Sequence, residues 1–69
     1  MASDNVLDLI EEYLTALESH PPADRESRIH TLQRIAAAMN RIVKARGELP
    51  LGRLRAVAFR WRTLAENED

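Results

Sequence analysis

The chain has 69 residues, no cysteine, 30% charged residues and a formal net charge of -1. A chain of this size buries only roughly 60% of its unfolded surface, and without cysteine no disulfide or thiolate metal site supplements the core. Regular helix packing or self-association must supply the difference, and the expectation is a homodimer. No stretch approaches the roughly 20 apolar residues of a membrane span. The opening MASDNVLDLIEEYL carries acids where a secretory leader carries bases, so a soluble, cytoplasmic protein is expected, with no membrane partner. Nine of the ten basic residues are arginine and alanine is plentiful, a composition that points to a bacterial or phage chain.

Charge is segregated along the sequence. Residues 1–24 hold six acids and no lysine or arginine, residues 25–62 hold ten bases against Glu26 and Glu48, and residues 63–69 add three acids. Such asymmetry means either that the acidic segment lies beside the basic ones in the fold or that the basic segment meets an anionic partner. The first arrangement is expected here.

From Val6 the apolar residues recur as Val6, Leu7, Leu9, Ile10, Tyr13, Leu14 and Leu17. This is the spacing of an amphipathic helix, predicted over about 4–19 with Ser3 or Asp4 as its cap. Asp4, Asp8, Glu11, Glu12, Thr15 and Glu18 gather on the opposite face. His20 and the pair Pro21-Pro22 end the helix, because a residue before proline is pushed out of the α region.

A second helix is predicted over about 22–46, with Asp24 and Glu26 in its first turn and Gly47 as its stop. Its apolar positions form two adjacent stripes, Ile29, Leu32, Ala36, Met39, Val43 and Ile35, Ala38, Ile42, Ala45. Together they span roughly 200° of the helical wheel, wider than one buried face needs. Such a helix must touch two neighbours, either the other helices of its own chain or a second copy. Its remaining face, with His30, Gln33, Arg34, Asn40, Arg41 and Lys44, is polar and basic.

Gly47-Glu48-Leu49-Pro50 reads as a tight connector to a third helix over about 50–66, followed by an acidic tail, 67–69, expected to fray. Leu51, Leu54, Val57, Ala58, Trp61, Leu64 and Ala65 form its apolar stripe. The fold class is therefore all-α: a single small domain, a helical hairpin plus a third helix, expected to assemble as a dimeric bundle.

The segment RLRAVAFRWR, residues 53–62, places four arginines around two aromatic residues. Trp61 falls at the centre of the apolar arc and reads as core. Phe59 lies about 160° away, with Arg55 and Arg62 on one flank and Arg53 and Arg60 on the other. An aromatic ring with a charged rim has the composition of an interface centre. The same arginines, with Arg34, Arg41 and Lys44, can neutralise phosphates. A helix-turn-helix register fails, however, because Arg53 stands where the reading helix needs an apolar anchor.

Catalytic and cofactor signatures are absent from the reading. His20 and His30 have no nucleophile or orienting partner in the sequence, and Glu26, His30 and Arg34 at i, i+4, i+8 read as a surface ion-pair ladder in preference to a metal site. The chain is accordingly expected to be no enzyme, with no cofactor and no metal. It is expected to act by stoichiometric protein binding, as a small regulator or inhibitor of a transcription factor or nuclease. The candidate surfaces are Arg53, Arg55, Phe59, Arg60 and Arg62, or the acidic face Asp8, Glu11, Glu12 and Glu18 acting as a phosphate mimic. The alternative is a dimeric DNA- or RNA-binding regulator using the arginine-rich third helix.

Overall fold

A computed structural model describes residues 2–45 and 50–68, with side chains from Asn5 onward. It contains three helices, α1 (Ala2–Ser19), α2 (Arg25–Lys44) and α3 (Leu51–Asn67), each packed against the other two. The bundle measures 38 × 19 × 17 Å.

Helix boundaries follow from local chemistry. α1 begins at Ala2, ahead of both expected caps, Ser3 and Asp4, whose side chains lie outside the described set. α2 begins at Arg25, three residues later than its prolines suggest, because Asp24 is the residue that caps it. Asp24 has extended dihedrals, φ -86° and ψ 124°, and its carboxylate accepts from the Ser27 N–H at 3.1 Å and the Ser27 hydroxyl at 3.0 Å. That satisfies a helix N–H that would otherwise have no acceptor. At the other end the chain turns extended at Ala45, so α2 stops at Lys44. Arg46, the Gly47 stop and the Gly47-Glu48-Leu49 connector lie outside the described residues. Pro50 precedes α3, and its carbonyl accepts from the Leu54 N–H at 2.9 Å.

The core draws on all three helices. Leu7, Ile10, Leu14 and Leu17 of α1 meet Leu32, Ile35 and Ile42 of α2 and Val57 of α3. Val6, Ala38, Met39, Leu54, Trp61, Leu64 and Ala65 pack around this set, half-buried. The broad apolar arc of α2 is thus divided between α1 and α3 of the same chain. Its outer members Val43 and Ala45 stay exposed, as do Leu9, Tyr13 and Leu51 from the predicted apolar faces of the other helices. Trp61 lies on the core side, as its position on the wheel predicts, and its indole N–H donates to the Leu32 carbonyl at 2.7 Å.

The chain ends are tied to the α1–α2 connector. Arg28 donates from Nε to the Glu68 carboxylate at 2.7 Å and from Nη1 to the carbonyls of Pro22 and Ala23 at 2.7 and 2.9 Å. Arg25 donates to the Glu68 carbonyl at 2.8 Å. Glu68, assigned by its position to a fraying tail, is anchored instead; Asp69 lies outside the described residues.

Truncation should separate the core from its fringe. Leu14→Ala removes a side chain with 0% exposure and should cost about 2–5 kcal/mol in urea unfolding. Leu9→Ala, at a position 53% exposed, should shift stability by no more than about 0.5 kcal/mol. Equal costs at the two sites would contradict the packing of α1.

Candidate interaction surface

α3 turns Val57 into the core, which places Arg53 and Arg60 on the flank facing α1. The two arginines are seven residues apart, close to two helical turns, so they share one side. Arg53 Nη2 donates to Asp8 Oδ1 at 2.8 Å and to Glu11 Oε1 at 2.9 Å. Arg60 donates from Nε to Glu18 Oε2 at 3.0 Å and from Nη2 to Glu18 Oε1 at 2.6 Å, with a further bond to the Thr15 hydroxyl at 3.1 Å. Pairing advances in the same direction on both helices, from 8 and 11 with 53 to 15 and 18 with 60, so α1 and α3 run parallel. α2 runs antiparallel to α3, since Arg28 meets Glu68 and Leu32 meets Trp61.

Electrostatics agree with this geometry. The hydrogen bond from Arg60 holds the Glu18 carboxyl below its ordinary pKa, against a smaller desolvation effect in the opposite direction. Arg60 is raised in turn, first by its bond to Glu18, and Arg53 is raised, first by its bond to Glu11 and then by that to Asp8. Near the same end of the bundle Arg28 lowers the Glu68 carboxyl in the same way. Pairs this exposed are screened by solvent and contribute little to stability. Their main effect is to fix which flank of α3 faces α1.

The two candidate surfaces are therefore partly spent on each other. Arg53, Arg60, Asp8, Glu11 and Glu18 meet in an intramolecular seam, the expected side-by-side arrangement of acidic and basic helices. Glu12 stays exposed on α1 and, among the described residues, enters no ion pair. On the outer side of α3, Phe59 is 73% exposed. Arg55, one turn before it, is exposed and, among the described residues, unpaired; Arg62, one turn after it on the same flank, makes an exposed i, i+4 pair with Glu66 at 3.1 Å. The Thr63 hydroxyl beside Phe59 turns back to the Phe59 carbonyl at 3.0 Å.

Other features carry less. A cleft of about 520 Å³ at the closed end of the bundle is lined by Leu17, Pro21, Arg28, Leu32, Leu64 and Glu68, and its charged groups already satisfy one another. No ion pair joins Glu26, His30 and Arg34, so the expected ladder does not form. Among the described residues no group of three or more histidine, aspartate or glutamate side chains is placed to hold a metal. The clasp of Arg28 on Glu68 had no counterpart in the sequence reading, because its partners are forty residues apart. The seam did leave a signal: Glu11 and Glu18 repeat the seven-residue interval of Arg53 and Arg60.

Glu18 and Glu68 ionise at lower pH in the folded chain than in the unfolded one. Their pairs therefore stabilise fully above the ordinary glutamate value of 4.5 and cease to do so as the pH falls through the lowered folded values. Thermal melts should show stability falling below about pH 4.5, and Glu18→Gln should flatten part of that fall. An acid profile unchanged by Glu18→Gln would refute the contribution of the seam.

Comparison of this chain with known protein families, with curated proteins and with solved structures found no match.

Proposed function

We propose that this protein is a small non-enzymatic regulator that acts by stoichiometric binding to another protein through the outer face of α3. The observation that carries this reading is Phe59, which at 73% is the most exposed large apolar side chain among the described residues. Burying such a ring contributes about 1.5–3 kcal/mol, available to whatever covers it. Ala56 and Thr63 on either side are small enough for close approach, and Arg55 and Arg62 form a charged rim. An aromatic anchor inside a polar rim is how binding energy concentrates in protein interfaces. The complementary surface is an apolar pocket edged by carboxylates.

The seam narrows the choice of surface. Three of the four carboxylates of the acidic face, Asp8, Glu11 and Glu18, already hold arginines, which weakens that face as a phosphate mimic. The same seam engages Arg53 and Arg60, so α3 retains only Arg55 and the loosely paired Arg62 for phosphates. A second copy of the chain is the competing occupant of the Phe59 face.

Immobilised parent, Phe59→Glu and Leu9→Glu chains, checked for equal helicity, should be exposed to a lysate of the source cells. One protein should be retained at a fixed ratio by the parent and Leu9→Glu and lost with Phe59→Glu. Unfolding of Phe59→Glu would make the ring part of the fold and remove this reading. A parent that captures nothing but sediments as a dimer, turned monomeric by Phe59→Glu, would assign the face to self-association.

A further inference from the structure

Residues 27–47 contain no aspartate or glutamate. Of the bases in this stretch that the structure describes, Arg28 is consumed by Glu68 and the connector carbonyls, whereas the side chains of Arg34, Arg41 and Lys44 are exposed and, among the described residues, form no ion pair or hydrogen bond. Successive α2 residues turn by about 100°, which puts Arg34, Arg41 and Lys44 within about 80° of one another, opposite Leu32, Ile35 and Ile42. They form a row about 15 Å long on the solvent side of the bundle. Each position four residues before a cation, where an acid would ordinarily support it, is His30, Ala37 or Asn40. Glu26, the nearest acid on this side of α2, is about 12 Å back along the axis from Arg34.

We infer that the outer face of α2 is a binding surface for the phosphate backbone of duplex DNA, with Arg34, Arg41 and Lys44 as its contacts. Charge complementarity carries the choice of occupant. The α1–α3 seam and the Arg28–Glu68 clasp absorb the acids that would have neutralised this row, leaving a cationic face on a chain of net charge -1. The face has Ala37 at its centre and no exposed large apolar side chain along its middle turns. It lacks the buried anchor that a protein partner requires, so its affinity is electrostatic and independent of sequence. Gln33 and Asn40 beside the row add neutral donors of the kind that position backbones without reading bases. A duplex presents about one charge per 1.7 Å of axis and releases more counterions per phosphate contact than a single strand does. This surface is separate from the Phe59 face, and the two readings can fail independently.

Anisotropy of a fluorescent random-sequence duplex, titrated with the full chain at several salt concentrations, tests the inference. Three phosphate contacts predict a slope of about -2.7 in log K against log salt, or roughly 40-fold weaker binding at about 200 mM than at about 50 mM. The variant Arg34→Ala/Arg41→Ala/Lys44→Ala, with unchanged circular dichroism, should lose binding and slope, whereas Phe59→Ala should keep both. The inference is overturned by no binding at low salt, by undiminished binding of the triple variant, or by loss on Arg55→Ala/Arg62→Ala instead. Tighter binding of single-stranded RNA than of the duplex would overturn the choice of ligand, as would capture of an acidic protein by this face with no DNA binding.

Discussion

Arg53 and Arg60 stand seven residues apart on α3, and the carboxylates they hold stand at the same interval on α1. Burial of leucine, isoleucine and valine drives these helices together, but apolar contact has no preferred direction and does not by itself choose a register. The charged pairs make that choice at small energetic gain. A sliding of α3 by one turn would set both arginines beside the wrong neighbours, and a rotation would carry them away from α1. The seam therefore specifies a geometry that the core stabilises.

That specification has an electrical consequence. Acids and bases that cancel in the total are brought together along one edge of the bundle and removed from its exterior. What remains outside is uneven, with Glu12 on α1 and a cationic row on α2. A net charge near zero thus describes a strongly polarised molecule, and long-range attraction would act on its orientation before any contact forms.

Much of the architecture was legible in the sequence. Periodicity and the proline and glycine breaks gave three helices, and the 200° arc of α2 required two neighbours, which α1 and α3 of the same chain supply. The opposite placement of Trp61 and Phe59 followed from counting residues on a wheel. Boundaries were less accurate where one side chain competes with backbone propensity: Asp24 took the cap, so Pro22 and Ala23 became carbonyl acceptors for Arg28 instead of the first turn. The candidate site was only half legible. The wheel separates Arg53 and Arg60 from Arg55 and Arg62, but local spacing does not say which of the two flanks meets α1. Leu9 and Tyr13 fit the apolar pattern of α1 but lie beyond the reach of both partner helices.

Because α1 and α3 are parallel, the chain must travel back along the bundle between them, and α2 is the segment that does so. Its 20 residues correspond to about 30 Å of rise. α2 acts as a ruler for the seam: its length sets where α3 restarts, and hence whether Arg53 arrives level with Asp8 and Glu11. An insertion or deletion of one turn in α2 would displace the seam by about 5.4 Å unless the connectors absorbed it.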